Sequence, residues 1–219
     1  MDADFWHEKW ETNDIAFHKS EANPILVKYF AALSLSKGSR VFVPLCGKTL
    51  DIPWLLSQGY RVAGAELSKI AVEQLFANLG VEAQVSRAGE SEHYSAPDID
   101  IFVGDIFQLS RKGLGRVDAV YDRAALVALP EDVRKRYTAH VTAITDNAPQ
   151  LLITYEYDQS QMEGPPFSIS NEEIERHYGE RYKLNLIVSA DVPGGLKGKC
   201  AAKEHVWLLQ RHECAHASC

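Results

Sequence analysis

The residues best spaced to hold a ligand are Gly47 and Glu66. Gly47 ends the turn Pro44-Leu45-Cys46-Gly47, and Glu66 closes the run Tyr60-Arg61-Val62-Ala63-Gly64-Ala65 nineteen residues later. In nucleotide-binding βαβ units an interval of about 20 residues separates the glycine turn from the acid that holds the ribose. A carboxylate there accepts hydrogen bonds from ribose hydroxyls. The competing account, a polar residue at a strand end, does not explain the spacing. Three nucleotide readings then compete for the turn. Gly47-Lys48-Thr49 has the letters of a phosphate loop, but that motif needs a glycine five positions before Gly47, where Phe42 stands. A dinucleotide turn needs G-x-G-x-x-G, and this turn has one glycine. A nucleoside ligand without phosphates needs one close backbone approach plus the acid, and S-adenosylmethionine is such a ligand. Cys46 reads as a small turn residue rather than a nucleophile. His18 and His93 have no paired partner in the sequence and read as structural.

These residues require a strand, a turn, a helix and a second strand, and the sequence supplies them. Arg40–Pro44 is a β-branched and aromatic run, and an apolar helical segment carrying Ile52, Trp54, Leu55 and Leu56 stops at Gly59. Ser68 caps a helix that ends at Gly80. Further apolar strands are read at 98–107, 117–121 and 150–155, the first with Asp105 near its end and the second running into Asp122-Arg123. A helix over 131–145 follows Pro130, and Ser170-Asn171-Glu172-Glu173 is a capping box. Asn23-Pro24 opens an earlier helix, and two late strands lie near 183–190 and 204–209. The segment 81–97 is polar and uneven and reads as loops or an edge strand. Strands alternating with helices predict an α/β fold: a Rossmann-like, doubly wound and mostly parallel sheet of about seven strands, with helices on both faces. The loop 157–167 follows a strand's carboxyl end and suits a wall of a substrate site.

The expected organisation is an aromatic N-terminal extension over 1–22, one domain over 23–212, and a disordered tail over 213–219. Phe5, Trp6 and Trp10 can share a helical face; either the extension packs as a plain amphipathic helix or its rings form a lid over a flat ligand. The 219 residues suffice for one large core, and a formal net charge of −7 disfavours nonspecific binding to nucleic acid or anionic membrane. No stretch approaches the roughly 20 apolar residues of a membrane span. The expectation is a cytoplasmic monomer acting on a small molecule. Four cysteines (Cys46, Cys200, Cys214, Cys219) are too few and irregular for a disulfide framework. No metal is expected, since the His212–Cys219 tail lacks a second ligand cluster and reads as a frayed terminus.

Several blocks carry a resemblance to a known family. Trp6-x-x-x-Trp10, Ala16-Phe17-His18, Val43-Pro44-Leu45-Cys46-Gly47-Lys48, Gly64-Ala65-Glu66-Leu67-Ser68, Asp122-Arg123-Ala124-Ala125-Leu126-Val127-Ala128 and Gly164-Pro165-Pro166-Phe167 follow one another in order. Together they resemble thiopurine S-methyltransferases, within the class I S-adenosylmethionine-dependent methyltransferases. The chain looks like a bacterial form, with Asp105 where vertebrate members have a serine. The resemblance implies cofactor contacts by Trp6, Trp10, Leu45, Gly47, Glu66, Asp105, Ile106 and Arg123. It places Arg123 at the catalytic centre and Phe17 and Arg123 beside the substrate. It implies methyl transfer to the sulfur of aromatic or heterocyclic thiols by in-line displacement. Methylation of selenium or tellurium species is the alternative enzyme reading, and a non-catalytic sensor of the cofactor is the rival from another class. Arg123 could instead pair structurally with Asp122 or Asp118.

Overall fold

The computed structural model describes residues 3–12, 21–88 and 91–212. A nine-stranded sheet runs through the molecule. Its centre is five parallel strands, in spatial order β5 (Ile99–Val103), β2 (Arg61–Glu66), β1 (Arg40–Pro44), β6 (Ala119–Asp122) and β7 (Gln150–Tyr157). One flank adds β9 (Ala202–Arg211) and β8 (Tyr182–Asp191), both through antiparallel pairing. The other adds an antiparallel hairpin, β3 (Gln84–Ala88) and β4 (Ser91–Ala96). The sheet is thus two strands wider than expected, and the hairpin occupies the segment that read as loops or an edge strand. It escaped the hydrophobic pattern because it lies at the margin: Val85 is 54% exposed, and His93 and Ser95 replace apolar residues.

The helices are α1 (Ala3–Glu11), α2 (Pro24–Tyr29), α3 (Asp51–Ser57), α4 (Lys69–Leu79), α5 (Arg111–Leu114), α6 (Glu131–Ile144) and α7 (Asn171–Tyr178). Their caps follow the sequence. The Asn23 side chain accepts from Ile25 N, the Ser68 side chain accepts from Ala71 N, and Gly80 closes α4 in the left-handed region. The capping box at α7 is half realised. Ser170 Oγ accepts from Glu173 N at 3.2 Å, but the Glu173 carboxylate turns to Arg134, with Nε at 2.5 Å and Nη2 at 3.0 Å. A buried guanidinium offers that carboxylate more than one backbone N–H can.

Successive strand residues face opposite sides, so the sheet divides two cores. Phe42, Leu152, Trp207 and Leu209 belong to one; Val41, Val43, Leu151, Ile153, Val206 and Leu208 belong to the other. With both faces covered, β1 is buried at every position and reads as a continuous apolar run. The parallel register brings the carboxyl ends of β5, β2, β1 and β6 side by side along one edge, where the sequence places its chemistry.

Candidate active site

The turn after β1 is held in an unusual backbone conformation, with φ of +47° at Leu45 and +53° at Gly47. A non-glycine residue at positive φ is uncommon and marks a constrained turn. Cys46 N donates to Ala65 O at 3.0 Å, which fastens the turn to β2. Glu66, only 6% exposed, fastens it further: Oε2 accepts from Gly47 N at 2.7 Å and Oε1 from Ser68 N at 2.8 Å. Burial pushes the Glu66 carboxyl up, while these N–H groups and the charge of His7 pull it back. Each carboxylate oxygen has two lone pairs. Gly47 N and Ser68 N take one lone pair on each oxygen and Leu67 N also bears on the carboxylate, and the remaining acceptor capacity fits a ribose diol. A Cβ on Gly47 would stand 3.0 Å from the ring of Trp10, itself buried. Glycine therefore serves both the backbone angle and the close approach of α1. Trp6 is half-buried and meets Phe5 edge-on at 5.2 Å.

Asp105 and Ile106 lie just past β5 rather than on it, because Gly104 (φ +145°) ends the strand. The exposed Asp105 accepts from Phe107 N at 2.9 Å and caps a single 3₁₀ turn, while Ile106 points into the core. Two residues that sequence reasoning missed brace this turn. The Arg136 guanidinium covers the Phe107 ring at 3.7 Å, and His140 Nε2 lies 2.8 Å from Ile106 O. Their four-residue spacing on α6, which puts them on one face, was the available signal.

At the end of β6, Asp122 is fully buried. Its Oδ2 accepts from Tyr137 Oη at 2.7 Å and its Oδ1 from Leu126 N at 3.1 Å. Burial raises its pKa to about 6 against the opposing pull of those bonds. With Asp122 so committed, the next side chain is released. Arg123 is half-buried, and among the described residues it has no hydrogen bond or ion pair. Asp118 is not its partner either, since it pairs with Arg116 at 3.4 Å and accepts from Arg40 N at 2.8 Å. The charge of Arg123 reaches the phenols of Tyr121 and Tyr155, both pushed up chiefly by burial, and works to lower them.

Asp51, another residue the sequence did not single out, is buried and joins the start of the domain to this strand. It accepts from Asn23 N at 2.6 Å and from Tyr121 Oη at 3.1 Å. The loop after β7 closes the other side: Tyr157 Oη donates to Pro166 O at 2.7 Å, and Phe167 N to Val127 O at 2.7 Å, just beyond Arg123. Cys46 is buried and its thiol is pushed well up, chiefly by burial, which disarms it as a nucleophile. His93 has a partner after all, Asp100 Oδ1 at 2.9 Å, and stacks on Phe102. Phe17, His18 and the tail beyond His212 lie outside the described residues.

The whole of residues 1–212 matches the family model described as thiopurine S-methyltransferase. The chain belongs to the thiopurine S-methyltransferase family. A thiopurine S-methyltransferase of Xanthobacter autotrophicus is 59% identical over 212 residues, covering 96% of this chain and 100% of that one. One from Teredinibacter turnerae is 52% identical over 97% and 99% of the two chains. Among solved structures, a Burkholderia thailandensis 1,6-didemethyltoxoflavin-N1-methyltransferase, with its substrate and S-adenosylhomocysteine bound, superposes with a TM-score of 0.65. It covers 95% of this chain and 87% of its own at 15% identity, a likeness of fold. As a member of the thiopurine S-methyltransferase family the chain is an enzyme, and its methyl donor is S-adenosylmethionine.

Proposed function

We propose that this enzyme methylates the sulfur of an aromatic or heterocyclic thiol, thiopurine-like in shape. The observation that carries the reading is Arg123, a half-buried guanidinium without a hydrogen-bond or ion-pair partner among the described residues, one strand away from the turn that Glu66 secures. S-adenosylmethionine, when bound, supplies a methyl group on a positively charged sulfur. Glu66 would hold the ribose hydroxyls through its open lone pairs, and Gly47 would leave space for the backbone approach. Leu45 would lie along the methionine portion, Asp105 and Ile106 would flank the adenine, and Trp6 and Trp10 would cover the site. Phe17 and Arg123 would border the acceptor. Arg123 favours the acceptor's thiolate, and the thiol proton leaves to solvent. The thiolate then forms the new S–C bond as the old C–S⁺ bond breaks, so alignment and exclusion of water supply much of the rate.

Transfer of labelled methyl from S-adenosylmethionine to a panel of aromatic thiols tests the reading, with rate followed against pH for two thiols of different acidity. Arg123→Ala should raise the pH at which turnover reaches its plateau, and should spare the more acidic thiol. Arg123→Lys should recover part of the loss, because lysine keeps the charge without the planar fork. Equal loss for both thiols with a lowered melting temperature would make Arg123 a brace of the fold.

A further inference from the structure

Lys48 lies where three elements meet and has no part in the roles described above. Its Nζ donates to Gln74 Oε1 on α4 at 2.7 Å. The same ammonium stands 5.9 Å from the centre of the Trp10 ring on α1. Lys48 itself follows Gly47, whose backbone the Trp10 ring approaches so closely that a Cβ would be 3.0 Å away. Helix α1 also runs against α4. An ammonium over an indole face is attracted by the ring's quadrupole, more strongly where water is excluded, and Trp10 is only 6% exposed. The bond to Gln74 fixes the ammonium in place, so little freedom is lost when the ring docks on it.

We propose that Lys48 is a positioning residue: it latches Trp10, and with it α1, onto the turn that Glu66 secures, and so governs retention of the cofactor. The proposal rests on the reading of Trp10 as a cover of the cofactor site. Lys48 touches neither reacting atom, and its effect passes through Trp10.

The test uses the full chain as wild type, Lys48→Met, Lys48→Arg, Trp10→Leu and the double variant. S-adenosylhomocysteine binding is read by calorimetry, and cleavage of the first 20 residues by limited proteolysis of the free protein. Lys48→Met should weaken binding about threefold to tenfold and speed cleavage, the range expected of a cation–π contact. It should raise KM for S-adenosylmethionine in proportion and leave kcat within about twofold. Lys48→Arg, which keeps a cation over the ring, should return both readouts to near wild type. In the Trp10→Leu background the effect of Lys48→Met should vanish, because the two residues act as one unit. Unchanged binding and cleavage in Lys48→Met would overturn the latch. So would an equal loss in the Trp10→Leu background, or equal damage in Lys48→Met and Lys48→Arg with a lowered melting temperature. If the wild type did not bind S-adenosylhomocysteine at all, the cofactor reading would fall, while the cleavage comparison would still decide the latch.

Discussion

The two ends of the sheet carry charge in opposite ways. At the amino ends of the parallel strands three acids have cations beside them. Asp100 lies 2.8 Å from Arg40 and 2.9 Å from His93, Asp146 lies 2.9 Å from Arg111, and Asp118 lies 3.4 Å from Arg116. A cavity of about 930 Å³ opens there, lined in part by Arg111, Ile144 and Arg211. At the carboxyl ends Arg123 is left without an ion pair among the described residues, and Glu66 is bonded only to N–H groups of its own neighbourhood. A cavity by itself would direct attention to the first end. Unspent hydrogen-bonding capacity directs it to the second. Charges that satisfy one another hold the fold, and charges the fold leaves unsatisfied are available to a ligand.

The sharpest way to break this contrast is to remove one arginine from each end. Arg123→Ala should lower kcat/KM by about 10²–10³, the scale of one lost charge-stabilising donor, and leave the melting temperature nearly unchanged. Arg40→Ala should do the reverse. It takes one of two cationic partners from the partly exposed Asp100 and the donor from two backbone carbonyls, costing about 1–3 kcal/mol of stability with kcat retained. Chemical denaturation beside kinetics separates the two, and a stability loss confined to Arg123→Ala would invert the assignment of the ends.

Asp122 carries the next largest effect. Its pKa of about 6 in the fold lies above the value near 3.9 of an unfolded chain, so the native state binds more protons between those limits. The stability this site contributes is present below about pH 4 and is lost as pH rises through about 6, by about 2–3 kcal/mol. Asp122→Asn keeps an acceptor and cannot ionise. Its stability relative to wild type should therefore rise by that amount from about pH 4 to about pH 7 in urea titrations. A difference constant with pH would return Asp122 to the ordinary carboxylate range.

Glu66→Ala should weaken S-adenosylhomocysteine binding by about 1.5–3 kcal/mol, since it removes a charged acceptor and frees Gly47 N and Ser68 N as well. An unchanged dissociation constant would take Glu66 out of the site. The smallest effect belongs to Arg116→Ala. Its side chain is 91% exposed, and an exposed pair contributes about 0–1 kcal/mol, so neither melting nor turnover should move measurably. A clear loss of turnover there would mean that the amino end of the sheet is functional after all.

Local chemistry was legible without coordinates. Helix caps at Asn23, Ser68 and Ser170, the apolar central strands and the turn-to-acid interval from Gly47 to Glu66 depend on residues within one or two turns, or on one βαβ unit. Those are the distances over which hydrogen-bonding and hydrophobic period act on sequence. The marginal hairpin β3–β4 was legible only as loops or an edge strand, because β3 has one neighbour and much solvent and so no apolar alternation to display. Nor was the half-used capping box, decided by Arg134 from another helix. The partners that shape the site join residues far apart in the chain: Asp51 with Tyr121, Lys48 with Trp10, His140 with the carbonyl of Ile106. The sequence by itself determined that a cation would follow β6. Only the tertiary structure decided that Asp118 and Asp122 would be occupied elsewhere: Arg116 and Leu126 are near them in the chain, but the Arg40 backbone that completes Asp118 and the Tyr137 hydroxyl that completes Asp122 are placed by strand order and helix packing.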